Sequence, residues 1–166
     1  MNTFLCVDPG TPFGFALWGQ SVNFNKLPHT RWGSYLVRAG ECRQEGHTWV
    51  GRAMEAAKQL HVLLEQTKPS HVYIEEPTYI EGHAAAARGD LVKLCRTVGR
   101  LEQVCDECKV PCIMIPMRDW LGQLSSQQVR HRAEGLLGRE FVAKYPGEHE
   151  LDAVCMGLHV LDVWPK

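Results

Sequence analysis

The apolar run Phe4-Leu5-Cys6-Val7 predicts a buried strand, and Asp8-Pro9-Gly10 closes it with turn residues. Residues 14–18 predict a second strand so soon afterwards that the two form a hairpin. Residues 21–29 are polar and contain a proline, which reads as a loop, and residues 30–37 predict a third antiparallel strand. Across residues 46–66 the apolar positions Val50, Met54, Ala57, Leu60 and Leu64 recur at helical spacing, until Lys68-Pro69-Ser70 stops the helix. Val72-Tyr73-Ile74 is a short strand of β-formers ending in Glu75-Glu76-Pro77. Residues 82–89 are small and read as a mobile segment. Residues 90–108 predict a second helix, with Leu91, Leu94, Val98, Leu101 and Val104 on one side, followed by a strand over 110–115 and a short helix over 117–124. Ser126 is placed to cap a helix running to about Lys144, Pro146-Gly147 breaks the chain, and residues 148–163 predict the last helix. Three strands followed by strands alternating with helices imply a mixed sheet covered by helices. No internal repeat, low-complexity tract or linker divides the 166 residues, which predicts a single domain over residues 1–166.

Composition narrows the class without naming a reaction. A hydrophobic fraction of 45% and a charged fraction of 22% are those of an ordinary globular chain with a real core. No run is long or apolar enough for a membrane helix, and no signal-peptide pattern precedes the first strand. The seven cysteines are unevenly spaced, which argues against a secreted disulfide scaffold and for a reducing cytoplasm. Cys105, Cys108 and Cys112 invite a zinc reading, but zinc sites usually need four ligands in two separated pairs; with no second pair here, these read as structural or incidental thiols. There is no glycine-rich phosphate loop. The net charge of −1 provides no global basic field for nucleic acid. A site that grips phosphate through bound cations would instead carry negative charge of its own.

Three acidic positions lie at the ends of regular elements. Asp8 closes the first strand, Glu75 closes the strand at 72–74, and Asp152 sits near the start of the last helix. Ala153, Val154, Cys155, Met156, Leu158, Val160 and Leu161 leave that helix almost no polar face, so it should be buried against the sheet. A carboxylate there must be paired, hydrogen-bonded or metal-bound. His149 lies one turn before Asp152, on the same side. Alone, each residue has an ordinary explanation. Asp-Pro-Gly is a common turn, Glu75 could be an edge charge, acidic residues favour first helical turns, and a lone histidine is usually a surface or cap residue. Together they suit hard divalent cations, which take oxygen ligands. Two such ions about 4 Å apart can clamp the attacking and leaving oxygens of a phosphodiester in line.

In order and spacing these residues resemble the RuvC family of Holliday-junction resolvases, within the RNase H-like nucleases. The likeness runs from residue 2 to about residue 161. Phe4-Leu5-Cys6-Val7-Asp8-Pro9-Gly10-Thr11, with Gly14-Phe15-Ala16, looks like the family's first strand, catalytic aspartate and hairpin. Tyr73-Ile74-Glu75-Glu76 looks like the strand carrying the catalytic glutamate, which falls on Glu75; strand alternation turns Glu76 the other way. His149-Glu150-Leu151-Asp152-Ala153 looks like the closing helix motif, with histidine as a family variant at its first position, and residues 125–137 fit the helix before it. The resemblance implies an RNase H-like α/β fold, a mixed five-stranded sheet flanked by helices. It implies Mg²⁺ or Mn²⁺ as cofactor, two ions per site, a homodimer formed in part by the helix over 90–108, and an endonuclease that nicks four-way DNA junctions symmetrically. Asp8, Glu75, His149 and Asp152 would then be both catalytic and metal-binding: Asp8 bridging the ions, Glu75 and Asp152 holding one each, His149 ligating or orienting the water. Hydrolysis would be in line and leave a 5′-phosphate. The near-neutral charge, and an aromatic that falls one residue late at Tyr79, look like a phage-encoded relative acting on several branched DNAs in the host cytoplasm.

Branched DNA as partner requires positive charge. Arg88, Lys93, Arg96 and Arg100 recur along the second helix, with Arg118, Arg130 and Arg132 further on. As a set they could track phosphates; singly, each reads as part of a solvated helix face. Tyr79 lies in the loop beside the acidic residues and could stack on an unpaired base. Two rival readings stand beside the resolvase. One is a nuclease of the same fold acting on another substrate, such as RNA:DNA hybrid. The other is a non-catalytic DNA-binding or assembly protein, against which the retention of all four candidate ligands counts.

Overall fold

The computed structural model describes residues 2–20, 34–43, 48–78 and 89–165. Its strands are β1 (Asn2–Asp8), β2 (Phe13–Gln20), β3 (Ser34–Cys42), β4 (His71–Glu76) and β5 (Cys112–Pro116). They form one five-stranded sheet in the order β3-β2-β1-β4-β5. The β1–β2 and β2–β3 pairs are antiparallel, and the β1–β4 and β4–β5 pairs are parallel. The helices are α1 (Trp49–Thr67), α2 (Asp90–Glu107), α3 (Met117–Trp120), α4 (Ser126–Leu137), α5 (Arg139–Val142) and α6 (Glu148–Val160). This is the mixed, helix-flanked α/β sheet expected from the order of apolar runs. Among the described residues no helix is long and apolar enough to cross a membrane.

Side-chain parity divides the core in two. Leu5 and Val7 of β1 join Phe13, Phe15, Val72 and Ile74 in a buried layer with Leu60 of α1 and Leu101 of α2. Phe4 and Cys6 join Ala16 and Trp18 in a second layer with Val129 of α4 and Met156 of α6. Burial of each large apolar side chain contributes roughly 1.5–3 kcal/mol, so both layers hold the sheet between the helices. The same parity places Asp8 on the α6 face, two residues beyond Cys6. On β4 it places Glu75 there too, since Tyr73 packs against the α6 layer and Ile74 against the other. Glu76 falls on the opposite face and is exposed. In α6 every residue from Leu151 to Leu158 except Asp152 is buried. The helix lies across β1, β2 and β3, close enough that a Cβ on Gly157 would fall on the Trp18 indole.

Several boundaries differ from the sequence expectation, each for a local reason. β3 continues past the expected end at Val37, because its pairing with β2 holds until Cys42 stands opposite Phe13. β5 begins at Cys112, since the Val110 N–H is taken by the Cys105 carbonyl at 2.9 Å in the turn after α2. The helix expected over 117–124 ends at Trp120, and Gly122 follows at φ 62°. The helix expected from Ser126 to about Lys144 is split, because Gly138 at φ 88° adopts a conformation that only glycine enters readily. Its cap is Ser125, not Ser126. Ser125 Oγ accepts the Gln128 N–H at 3.4 Å and the Gln128 side chain accepts the Ser125 N–H at 2.8 Å, a reciprocal capping box. The last helix stops at Val160, where the Leu161 N–H still reaches the Gly157 carbonyl but Asp162 turns to φ 56°. The loop expected at 21–29, the start of the strand expected at 30–37 and the segment at 82–88 lie outside the described residues.

Candidate functional site

The ends of β1 and β4 meet the first turns of α6 on one face of the sheet. Parallel pairing sets Cys6 beside Tyr73 and Val7 beside Ile74, so the next residues, Asp8 at the end of β1 and Glu75 one before the end of β4, stand at the same end of neighbouring strands. α6 brings His149 in its first turn and Asp152 one turn later. Asp8 is the buried charged residue among those described, 7% exposed. An unpaired carboxylate in that position would be costly. Asp8 is paired twice: Oδ1 accepts the Gly10 N–H at 2.9 Å, and Oδ2 lies 3.0 Å from His149 Nδ1.

Backbone approach makes this contact. A Cβ on Gly10 would fall on the His149 imidazole, and one on Gly14 would fall on the His149 carbonyl and the Glu150 amide. The start of α6 therefore rests directly on the β1–β2 turn. Glu41 of β3 stands at the same end, since a Cβ on Gly147 would meet its carboxylate. From α4, Arg130 Nη2 donates to the Pro146 carbonyl at 3.1 Å and the Tyr145 carbonyl at 3.4 Å. The Ser126 hydroxyl donates to the Glu148 carboxylate.

The electrostatics are those of crowded like charges. Burial, then the Asp8 and Asp152 carboxylates, push the Glu75 carboxyl up to about 9. Burial, then Asp8 and Glu148, push Asp152 up to about 7 against the opposing pull of His149 and Arg130. The Asp8 hydrogen bond raises His149 to about 9 despite burial, and Asp8, Asp152 and Glu41 add to the rise. Among the described residues no three His, Cys, Asp or Glu side chains are arranged to hold a metal ion as they stand; His149 is turned onto Asp8 instead. In kind the donor set nevertheless fits a hard divalent cation: three oxygen donors and one imidazole, with Glu75 receiving only influences that disfavour its charge.

The structure thus brings together Asp8, Glu75, His149 and Asp152, which the sequence singled out, and adds Gly10, Gly14, Glu41 and Arg130 around them. In the sequence Gly10 was legible as a turn residue and Gly14 as the start of the second strand, both within the hairpin motif, but not as the places where α6 rests. Glu41 had no signal, because the third strand was expected to end before it. The expected DNA contacts are scattered. Lys93, 2.9 Å from Asp90, lines a cleft of about 280 Å³ with Pro9, Gly10, Thr11, Trp49 and Arg52, and that cleft shares Gly10 with the His149 contact. Arg96 lies 5.4 Å from the Trp49 ring centre. Arg118 is exposed beside Asp119. Arg132 donates to the Pro165 carbonyl at 2.9 Å and covers Trp164. Tyr79 and Arg88 lie outside the described residues. A larger cleft of about 460 Å³ lies between α1 and α2, away from the acidic residues; the carboxylates, not cavity size, mark the site. The thiols of Cys105, Cys108 and Cys112 are free, with Cys108 Sγ 3.4 Å from His61 Nδ1.

The mixed five-stranded sheet flanked by helices is a fold shared with solved structures of Holliday junction resolvases. Thermus thermophilus RuvC superposes with a TM-score of 0.68 at 16% identity, covering 96% of this chain and 93% of that one. A structure of Thermus thermophilus RuvC in complex with Holliday junction substrate gives 0.70 at 17% identity over the same shares, 96% and 93%. The yeast mitochondrial Holliday junction resolvase Ydc2 gives 0.59 at 14% identity, covering 97% of this chain and 76% of that one. At these identities the likeness is one of fold. No protein-family model matches the sequence, and a search of curated proteins finds no match.

Proposed function

We propose that this chain is a divalent-metal-dependent endonuclease that cuts branched DNA, four-way junctions included, as one nuclease domain over residues 1–166. The observation that carries the reading is the meeting of Asp8, Glu75, His149 and Asp152 at one end of a RuvC-type sheet. Asp8, Glu75 and Asp152 would hold Mg²⁺ or Mn²⁺, two ions per site, with His149 as a further ligand or as the group that orients water. When bound, such cations offset phosphate charge and supply a nucleophile at neutral pH. The chain's own part is preorganisation. Gly10 pins the Asp8 carboxylate, the Asp8–His149 contact holds a proton between Oδ2 and Nδ1, and the apolar body of α6 keeps Asp152 from moving. Lys93, Arg96 and Arg118, with Tyr79 and Arg88, are the proposed DNA contacts, the first beside the acidic site. Action as a homodimer in a phage-infected cytoplasm completes the reading.

Incubating the protein with four-way junctions, flaps and RNA:DNA hybrids in Mg²⁺ or Mn²⁺ tests it. Cuts in branched DNA that leave 5′-phosphates are expected. Cleavage of hybrid alone would move the reading to another nuclease of this fold, and binding without cleavage of any substrate would favour a non-catalytic DNA-binding protein.

A pH dependence of stability follows from the same charges. Glu75 and Asp152 prefer the protonated form when folded, so ionising them as pH rises toward about 9 and about 7 destabilises the fold. The stabilisation from the His149 imidazolium is complete below about 6.5 and is lost as pH rises through about 9. All three act in one direction. The cation-free protein should melt at progressively lower temperature between about pH 6.5 and 9, and saturating Mg²⁺ should raise the melting temperature more at the alkaline end. Scanning calorimetry with and without Mg²⁺ would show this; a melting temperature that climbs with pH in the cation-free protein would contradict it.

A further inference from the structure

We propose that Arg130 is a positioning residue of the acidic site, holding the segment that delivers His149 and Asp152, and not a contact to DNA phosphate. The proposal rests on the nuclease reading above. α6 starts without a side-chain cap of its own, its N-cap being Gly147. The carbonyls just before it, Tyr145 and Pro146, both accept from Arg130 Nη2. Arg130 stands on α4, whose neighbouring Val129 is fully buried and whose start is locked by the Ser125 capping box. The guanidinium is thus carried by a rigid element, as a precise support requires. One turn earlier on α4, Ser126 holds Glu148, the first residue of α6. Positions 126 and 130 are i and i+4, so both ties leave the same side of α4 and reach the same end of α6.

One nitrogen of the planar guanidinium, Nη2, already donates to both carbonyls. Displacing reacting groups by about 1 Å can cost about 10²-fold in rate, and α6 freed at its start would move both His149 and Asp152.

The test compares Arg130→Gln and Arg130→Lys with wild type at a temperature where each is folded. In Arg130→Gln, turnover at saturating four-way junction in Mg²⁺ should fall about 10²-fold. Junction Kd and its salt dependence should stay unchanged, and Arg130→Lys should recover part of the turnover. The ¹⁵N signals of the His149 ring in the cation-free protein should shift in Arg130→Gln. A phosphate contact would behave oppositely, with weaker binding, a salt slope smaller by about one, intact turnover at saturation and tolerance of lysine; that result overturns the proposal. So does a lower melting temperature with turnover per folded molecule and His149 signals unchanged, which would make Arg130 scaffold only. If Arg130→Gln does not fold, Arg130→Lys carries the same comparison. If wild type cuts no branched DNA, the nuclease reading fails on that arm alone, and the His149 signals still decide what Arg130 does.

Discussion

Asp8→Asn should lower cleavage of a four-way junction by about 10³-fold, the scale lost when a preorganised charge at the reacting centre is removed, while leaving junction binding intact. The substitution is close to isosteric, and its local contacts survive. The asparagine Oδ1 can still accept the Gly10 N–H, now 2.9 Å away, and its amide can donate to an unprotonated His149 Nδ1 across the present 3.0 Å contact. The charge disappears. Glu75 and Asp152 both owe part of their upward shift to Asp8, so relief of that repulsion offsets the loss of the charged His149 contact, and the cation-free variant should stay folded near pH 8. The signature is therefore a folded protein that binds junctions, does not cut them, and takes up Mg²⁺ weakly by calorimetric titration. Equal cleavage rates for the variant and wild type would remove Asp8 from the chemistry and with it the proposed site.

Much of the frame behind that prediction was legible in the chain. Phe4-Leu5-Cys6-Val7 and Val72-Tyr73-Ile74 read as strands from their residues, and alternation separates Glu75 from Glu76, but that Asp8 and Glu75 share one face is decided by the pairing of β1 with β4. The apolar body of α6 left Asp152 with no solvated face to occupy. What the chain does not show is contact between elements distant in sequence. His149 meets Asp8 across 141 positions, and no spacing rule predicts that. The extension of β3 to Cys42 is decided by its partner β2, not by its own residues, and with it the arrival of Glu41 beside Gly147. The break between α4 and α5 turns on the φ of Gly138, where the helical pattern of residues on either side continued without interruption. Arg130 and Arg132 looked like members of a phosphate-tracking set, yet their hydrogen bonds go to the chain's own carbonyls. Charge is visible in a sequence; what a charge has already been paired with is not.

Gly14→Ala should be the most damaging single methyl group in the site. Neither Gly14 nor Gly10 has a left-handed φ, so alanine is not excluded by backbone conformation at either place, and the cost is contact alone. At Gly14 the new Cβ would meet the His149 carbonyl and the Glu150 amide. These are backbone atoms in the first turn of a helix whose next residues are packed into the core, so nothing can swing aside and α6 must lift. Overpacking of this kind costs about 1–3 kcal/mol and sometimes more. For a chain of this size that is roughly 2–4 °C in melting temperature per kcal/mol. At Gly10 the Cβ would meet the His149 ring, the far end of a side chain that can rotate away. Gly10→Ala should therefore cost little stability but break the His149–Asp8 contact, and the imidazole should return toward an ordinary value from about 9. Melting temperatures and ¹⁵N signals of His149 near pH 8 separate the two cases. Gly14→Ala should lose stability and cleavage together. Gly10→Ala should keep its melting temperature, show a neutral imidazole where wild type shows a charged one, and lose cleavage only to the extent that His149, rather than the three carboxylates, carries the chemistry. A Gly14→Ala variant as stable as wild type would mean that α6 does not rest on the β1–β2 turn as described.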